Sequence, residues 1–320
     1  MKEIHLAGAF YIDETIKYNL TRQFSAPFQT FFPFFQIYPG VAIRKMGQTP
    51  ASRDSVLVVI NLTEKVWGEI KDTLPFYGRT ILLQTEAYIN YEVAYEQASR
   101  FDVFVNFDST YASHPGFFHA YPPYIPYLPF SVRDARGLKA IREQWRSSGR
   151  VFVDAYLLRF LPRHRKASFI ITLRSQQHYQ IRLRVARRWT EQVDVFGGAW
   201  PKDLPSWHGR CGDKIAVSSR YRYALVMENQ RQPGYITEKL LDAFAAGAVP
   251  IYWGAPDVSL LPGADAIVPF IEEDFPVGQV IADDASYRPR RKALLANRKA
   301  LFDIFSPQRY IEVLTRACQS

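Results

Sequence analysis

The stretch from residue 223 to residue 256, YALVMENQRQPGYITEKLLDAFAAGAVPIYWGAP, constrains the fold of this chain more than any other part of the sequence. It contains an apolar run, a polar loop, a stretch with helical spacing of apolar residues and a second apolar run. This order predicts a buried strand, a loop, a helix and another buried strand, which is one α/β repeat. In an open parallel sheet, ligands bind beyond the carboxyl ends of the strands, where the helices begin. The polar loop is therefore the first candidate site.

Polar and charged side chains concentrate in this loop and in the first turn of the predicted helix. They are Glu228, Asn229, Tyr235, Thr237, Glu238 and Lys239. The first N–H groups of a helix are unpaired and the helix dipole is positive there, so this end favours anions. A lysine beside a glutamate at such a place predicts a site for a charged, hydroxyl-rich ligand. Thr237 is a candidate N-cap; if the helix begins earlier, Tyr235 and Lys239 share one helix face.

Other predicted elements extend the α/β pattern over both halves of the chain. Buried strands are predicted at residues 4–10, 55–60, 80–83, 101–105, 168–173, 193–196 and 266–269. Helices are predicted at residues 90–99, 180–192, 288–304 and 307–318. Residues 111–130 contain five prolines and are predicted to form a structured loop. This alternation favours two doubly wound, Rossmann-like domains facing across a cleft.

The charge balance is basic, with 40 Lys and Arg against 31 Asp and Glu, a net charge of +9. Such a balance indicates nucleic acid, an anionic membrane or a phosphorylated substrate as a partner, or only a solvated surface with excess charge. Basic residues cluster at 163–166, 182–188 and 288–292. Aromatic residues are not interleaved with these clusters, so we do not expect nucleic-acid binding. The two cysteines, Cys211 and Cys318, are expected to be free thiols.

No membrane-spanning or signal segment is evident at the start of the sequence. The first apolar run is interrupted by Asp13 and Glu14, and the aromatic run at 29–38 contains Pro33. Both are far shorter than the roughly 20 residues of a membrane-spanning helix. We therefore expect a soluble or peripherally attached protein. Without a secretion signal, the glycosylation sequon that begins at Asn61 is uninformative.

The loop and helix carry a recognisable signature. The pattern E-N-x(5)-Y-I-T-E-K-L, followed by A-x-A-V-P-I-Y-W-G, resembles the donor-binding signature of the α-1,3/4-fucosyltransferases, glycosyltransferase family 10. The match is gap-free and mixes polar and apolar positions in order. It covers roughly the last half of the chain, whereas the first half matches weakly. The resemblance implies a GT-B fold and GDP-fucose as the donor.

The GT-B expectation leads to a division of the chain. We expect an acceptor-binding α/β domain at residues 1–160 and a GDP-fucose-binding Rossmann-like domain at residues 161–305. A C-terminal helix at residues 306–320 would then pack back on the first domain, as is common in that fold.

The resemblance implies fixed cations for the donor diphosphate. Many glycosyltransferases hold a divalent ion with a D-x-D motif, which this sequence lacks, and the near match at 272–274 resembles a solvated acidic turn. Fixed cations can stabilise the departing charge instead. Lys239 matches the lysine of the family's Y-[IV]-T-E-K motif, and Arg182 aligns with an arginine that contacts the pyrophosphate. Arg184, Arg187 and Arg188 are alternatives if the register differs. No metal or cofactor is required on this view, and stimulation by Mn²⁺ or Mg²⁺ stays open.

Three further residues match family positions on the donor side. Tyr235 and Glu238 match positions that hold the nucleotide and the sugar, and Asn229 matches the E-N pair. Each has a structural alternative, because Glu238 also suits the first turn of a helix and Asn229 also suits a loop.

The general base is expected in the first half of the chain. Glu86 ends the predicted strand in TILLQTEAY, where an α/β domain presents functional residues. Family 10 enzymes carry a catalytic glutamate after the equivalent strand. Glu92 and Glu96 are rivals, although both suit an exposed helical face better. An ordinary loop carboxylate is the structural alternative for Glu86.

Together with these residues, the resemblance implies an inverting fucosyltransferase that forms an α-L-fucoside. The resemblance implies a glycan acceptor, with O3 of GlcNAc as the expected hydroxyl. The alternatives are a GT-B enzyme with another donor, such as GDP-mannose, and a non-catalytic glycan- or nucleotide-binding protein. We expect a bacterial enzyme that is cytoplasmic or peripheral to the inner membrane and decorates a surface polysaccharide or lipopolysaccharide. The basic residues at 288–292 are candidates for contact with anionic lipid.

Overall fold

The computed structural model describes residues 1–8, 12–21, 32–86, 93–123, 163–176, 179–271 and 274–320. Contacts divide the chain into two compact units. Unit 1 comprises Met1–Pro123, Gln232–Tyr235 and Phe305–Ser320, and unit 2 comprises Tyr124–Arg231 and Ile236–Ile304. The boundary predicted near residue 160 lies outside the described residues. The short segment Gln232–Tyr235 groups with unit 1, a feature that the predicted division does not contain.

Unit 1 contains a six-stranded parallel sheet among its described residues. Its strands are β1 (Glu3–Gly8), β2 (Ala42–Lys45), β3 (Ser55–Ile60), β4 (Arg79–Leu83), β5 (Val103–Asn106) and β6 (Phe117–His119). They lie in the order β2-β1-β3-β4-β5-β6. β3 is buried along its whole length, as expected for an apolar strand covered on both faces.

Helices cover both faces of this sheet. They are Ile12–Thr21, Phe34–Ile37, Glu64–Ile70, Tyr95–Ala98 and Pro307–Gln319. The last of these begins with Pro307 at its first position and with Ser306 as N-cap, whose side chain accepts from the Arg309 N–H. Its apolar face, which includes Tyr310 and Leu314, packs into the same hydrophobic cluster as residues of β1 and β3. The end of the chain therefore contributes to the core of unit 1.

Unit 2 contains a second parallel sheet, of five described strands in the order β11-β10-β9-β7-β8. The strands are β7 (His164–Ile170), β8 (Val193–Phe196), β9 (Tyr221–Met227), β10 (Val249–Trp253) and β11 (Val268–Pro269). The described helices are Gln180–Arg188, Lys214–Ser218, Glu238–Ala246, Val277–Ala282 and Asp284–Ile304. The chain passes from β7 to β8 on one side and then returns to place β9 on the other. The strand order thus reverses between β7 and β9, which is where doubly wound sheets bind ligands.

The predicted α/β class is confirmed, and the strands at 55–60 and 193–196 have the predicted bounds. Several predictions of local structure need correction. The strand predicted at 168–173 ends at Ile170, and the helix predicted at 180–192 ends at Arg188. Residues 164–166 belong to β7 instead of preceding it. Within the predicted loop 111–130, Phe117–His119 pairs with β5 as an edge strand, and residues 124–130 lie outside the described ranges. Of the helix predicted at 90–99, the structure describes only Tyr95–Ala98 as helical, and residues 87–92 are not described.

Candidate functional site

Arg182 is buried at the switch point of the second sheet. It lies in the first turn of the helix Gln180–Arg188 that follows β7, and it is 2% exposed. One terminal nitrogen donates to the side-chain oxygen of Asn229 at 2.9 Å and to the carbonyl of Glu228 at 3.2 Å. The guanidinium carbon lies 4.3 Å from the centre of the Tyr179 ring. Since a guanidinium stays charged at all ordinary pH values, a permanent cation is held in place between the ends of β7 and β9.

Glu228 organises the loop after β9. Its side chain is buried, and its two carboxylate oxygens together accept three hydrogen bonds. One carboxylate oxygen accepts the Thr237 backbone N–H at 2.9 Å; the other accepts the Thr237 hydroxyl at 2.7 Å and the Lys239 ammonium at 3.2 Å. A buried carboxylate is tolerated only when it is paired and hydrogen-bonded, and Glu228 meets both conditions.

Lys239 is the cation that pairs with Glu228. Its ammonium also donates to the Thr237 hydroxyl at 2.9 Å, and it lies 3.6 Å from the Glu238 carboxylate. Burial by itself lowers the pKa of Lys239, but the nearby charges of Glu228 and Glu238 outweigh it, so the net pKa is raised above the ordinary lysine value. Lys239 therefore carries its charge throughout the neutral range. Thr237 is the N-cap of Glu238–Ala246, as predicted.

Glu238 belongs to a chain of alternating charges that continues away from Lys239. The Lys214 ammonium lies 3.8 Å from Glu238 and 3.9 Å from Asp242. A cavity of about 30 Å³ is lined by Lys214, Lys239, Asp242 and the hydroxyl-bearing residues Ser168 and Ser218. This volume suits a water molecule and is far too small for a nucleotide sugar.

Close packing holds the Glu228 side chain from the side of β10. Gly254 follows β10, and a Cβ added there would lie 2.3 Å from the Tyr252 hydroxyl and 2.7 Å from Cγ of Glu228. The Tyr252 hydroxyl in turn accepts the Ala255 N–H at 3.1 Å. The glycine in the signature therefore leaves room for the buried glutamate.

In unit 1, Glu86 lies just beyond the carboxyl end of β4 and is half-buried. Its backbone N–H and that of Thr85 both donate to Oδ1 of Asn61, at 3.2 and 2.8 Å. Its carboxylate accepts the Tyr235 hydroxyl at 3.4 Å. Tyr235 is buried and packs against the Phe107 ring at a centroid distance of 5.4 Å.

The placement of Tyr235 corrects one sequence-based alternative. The helix begins at Glu238, so Tyr235 precedes it and shares no helix face with Lys239. Gly234, at φ 69°, allows the chain to approach Phe107, whose carbonyl would lie 2.2 Å from an added Cβ. Only glycine combines this backbone angle with such a close approach. Within the signature segment, Tyr235 therefore contacts Glu86 and Lys239 contacts Glu228.

The predicted residues therefore fall into two groups. Arg182 contacts Asn229 in unit 2, where Lys239 also contacts Glu238, while Glu86 and Tyr235 contact each other in unit 1. Glu228, which joins Arg182 to Lys239, was named as a polar residue of the loop but not as a site residue. The signal available in the sequence was an acidic residue directly after an apolar run.

The predicted basic clusters contain residues with intramolecular partners. Arg163 donates to the carbonyls of Tyr221, Ala246 and Gly247 at 2.8–3.0 Å, which satisfies the last turn of the helix Glu238–Ala246. Lys166 pairs with Asp194 at 2.9 Å. Arg290, in the 288–292 cluster, donates to the carbonyls of Asp265 and Ile267.

Two kinds of feature are absent from the described residues. They contain no group of three or more His, Cys, Asp or Glu side chains arranged to hold a metal ion. None of their helices combines the length and the apolarity needed to cross a membrane. Cys211 and Cys318 are free thiols, as predicted.

Two parallel sheets with helices on their faces define the class as a GT-B glycosyltransferase fold, and Arg182 and Lys239 place two cations at the switch point of the second sheet. A crystal structure of an α1,3-fucosyltransferase with GDP-fucose matches with a TM-score of 0.59 and 15% identity, over 100% of this chain and 91% of that one. The structure of Anabaena HepE with UDP matches with a TM-score of 0.55 and 11% identity, over 99% of this chain and 100% of that one.

The sequence comparisons point to one family. Residues 163–272 match the family model for the C-terminal part of glycosyltransferase family 10, the fucosyltransferases. The α-(1,3)-fucosyltransferase FucT of Helicobacter pylori is 46% identical over 47 residues, 15% of this chain. The matched part covers only 10% of the H. pylori protein.

Proposed function

We propose that this protein transfers L-fucose from GDP-β-L-fucose to a hydroxyl of a glycan acceptor, with inversion, to form an α-L-fucoside. The observation that carries the proposal is the pair of cations, the buried Arg182 and the partly buried Lys239, on either side of Glu228 at the switch point of the second sheet. An anionic diphosphate is the part of a nucleotide sugar that such a site favours. The family match over residues 163–272 and the similarity to an α-(1,3)-fucosyltransferase favour fucose as the sugar.

In the proposed reaction, the Glu86 carboxylate takes the proton from the acceptor hydroxyl. The acceptor oxygen forms a bond to the anomeric carbon as the bond from that carbon to the GDP oxygen breaks. GDP leaves with the electron pair of the broken bond, and Arg182 and Lys239 stabilise its developing charge. Asn229 and Glu238 hold the donor, with Glu238 accepting hydrogen bonds from its hydroxyls. Tyr235, a neutral donor to Glu86, orients the base.

A divalent ion is not required in this scheme, because the fixed cations supply the charge that a metal would otherwise contribute. Mn²⁺ or Mg²⁺ would at most stimulate turnover. Activity that survives prolonged treatment with a chelator would support this proposal, and activity that returns only with added metal would overturn it.

The direct test is GDP release after mixing the protein with GDP-fucose and N-acetyllactosamine, which offers O3 of GlcNAc. Controls contain GDP-mannose, UDP-glucose or no acceptor. We expect acceptor-dependent release with GDP-fucose only. Acceptor-dependent release with another donor would keep the enzyme class and reject fucose. The absence of release with every donor, over a panel of bacterial glycans, would reject the proposal in favour of a binding protein.

A further inference from the structure

Asn61 occupies an unusual position at the carboxyl end of β3. It is fully buried and its φ is 55°, in the left-handed region that residues other than glycine seldom adopt. Asparagine is among the residues that tolerate this region best, because its short side chain can hydrogen-bond locally. Its backbone N–H donates to the Leu83 carbonyl at 2.8 Å, which extends the pairing of β3 with β4 by one residue.

The side chain of Asn61 gathers three donors from the residues that follow β4. Its Oδ1 accepts the Thr85 N–H at 2.8 Å, the Thr85 hydroxyl at 3.1 Å and the Glu86 N–H at 3.2 Å. The amide cannot be turned over, because its NH₂ group would then face two N–H groups. The Asn61 side chain therefore accepts hydrogen bonds from the residues after β4, in the place where a backbone carbonyl of β3 would accept them if the strand continued.

The arrangement leaves the amide nitrogen of Asn61 in an unfavourable position. Nδ2 of Asn61 is buried and has no hydrogen-bond partner among the described residues. A buried donor without a partner is unfavourable. An aspartate would accept the same three bonds without leaving a donor unpaired, but it would bring a second negative charge to the turn. That charge would repel the ionised carboxylate of Glu86, which is the form that acts as a base.

We propose that Asn61 is a positioning residue for Glu86: through Oδ1 it holds the backbone from which the base projects, without adding charge. The proposal rests on the assignment of Glu86 as the base. Glu86 is a turn residue beyond the end of its strand, so nothing in the strand ladder fixes its backbone N–H; the Asn61 side chain does. A base must lie within hydrogen-bond reach of the proton that it removes, and misplacement by about 1 Å can cost about 100-fold in rate.

The test compares Asn61→Gly, Asn61→Asp and Thr85→Val with the wild-type protein. Asn61→Gly keeps the left-handed backbone without strain and removes all three contacts. We expect its kcat for fucose transfer to fall about 10- to 100-fold, while its affinity for GDP stays unchanged. Asn61→Asp restores the acceptor and should recover much of kcat. Thr85→Val removes only the hydroxyl contact, keeps both backbone contacts and should lose far less than Asn61→Gly.

A wild-type kcat in Asn61→Gly would overturn the proposal, and so would an equal loss in Thr85→Val. A parallel loss of kcat, GDP affinity and thermal stability would also overturn it, since that pattern indicates general unfolding. Glu86→Gln distinguishes failure of the role proposed for Asn61 from failure of the assignment of Glu86 as the base. If Glu86→Gln is inactive and Asn61→Gly is fully active, only the role of Asn61 fails; if Glu86→Gln turns over normally, the base assignment fails.

Discussion

The carboxyl-end sites of the two sheets differ in how they handle charge. In unit 2, the Lys239 ammonium lies between the carboxylates of Glu228 and Glu238, and Lys214 continues the alternation. In unit 1, the Glu86 turn is held by the neutral amide of Asn61, and its carboxylate contacts the neutral phenol of Tyr235. Compensated cations suit the anion site that we propose in unit 2. A base loses proton affinity beside a cation, so neutral contacts suit the base that we propose in unit 1.

This difference also predicts how each site responds to mutation. A buried ion pair is strongly coupled, because removal of one partner leaves the other charged and desolvated. Neutral hydrogen bonds around a half-buried carboxylate contribute less to the free energy of unfolding. Mutations in unit 2 should therefore affect stability together with donor binding, whereas mutations in unit 1 should affect catalysis.

The largest effect is expected for Glu86→Gln. The amide keeps the size of the side chain but cannot accept the proton, so kcat for transfer should fall by about 10² to 10⁴. GDP affinity and the midpoint of thermal unfolding should stay at wild-type values. Single-turnover transfer and GDP titration measure both. A drop in GDP affinity as large as the drop in kcat would contradict the proposal that Glu86 acts in catalysis and not in donor binding.

The next effect is expected for Lys239→Met. Without its ammonium, the buried Glu228 carboxylate loses its cation, and the free energy of unfolding should fall by about 3–5 kcal/mol. GDP affinity should fall about 10- to 100-fold, the loss expected for a hydrogen bond to a charged group. Chemical denaturation and calorimetric titration measure the two quantities.

The double variant Glu228→Gln/Lys239→Met sharpens that test. It removes both charges, so it should recover much of the stability while GDP affinity stays low. Recovery of GDP affinity in the double variant would show that Lys239 serves the fold and not the donor.

A smaller effect on stability is expected from glycine-to-alanine changes, which compare a tightly packed position in unit 2 with an open one in unit 1. Gly254→Ala places a methyl group 2.3 Å from the Tyr252 hydroxyl and 2.7 Å from Cγ of Glu228, and should destabilise the protein by about 1–3 kcal/mol. Gly68→Ala is the matched control in unit 1. Gly68 lies inside the helix Glu64–Ile70, and nothing lies within 4 Å of an added Cβ, so this change should stabilise by about 0.5–1 kcal/mol. Denaturant midpoints that shift equally in both variants would contradict the packing argument.

The smallest effect concerns pH. Hydrogen bonds from Thr49, Arg44 and His5 lower the pKa of Glu3 in unit 1 from 4.5 to about 2. A lowered acid pKa contributes stability above the unfolded value, and that contribution is lost as pH falls toward about 2. Lys239 has the opposite sign, because its raised pKa stabilises at every pH below the unfolded lysine value. Glu3→Gln should therefore lose less stability than the wild type between about pH 5 and about pH 2. Identical acid melting curves for the two proteins would contradict this.

Much of the fold was readable because it depends on local patterns. Apolar runs predicted β3 and β8 with the observed bounds, and Thr237 was identified as an N-cap from its type and place. The edge strand β6 was missed because it has three residues in a proline-rich stretch, and its strand character comes from pairing with β5. The start of β7 was missed because residues 164–166 are polar and charged, although Arg165 pairs with Asp284 of a helix and Lys166 with Asp194 of β8.

The sequence by itself determined the α/β class, the position of the signature at a strand end and the identity of the charged residues there. The tertiary structure decided which of them act together. Arg182 meets Asn229 across 47 residues, Asn61 meets Thr85 across 24 and Tyr235 meets Glu86 across 149. Periodicity and motif spacing describe neighbours within one element, whereas burial and pairing depend on how strands are ordered in a sheet. For that reason Glu228 and Asn61, polar residues at the ends of apolar strands, acquire their roles only in the folded protein.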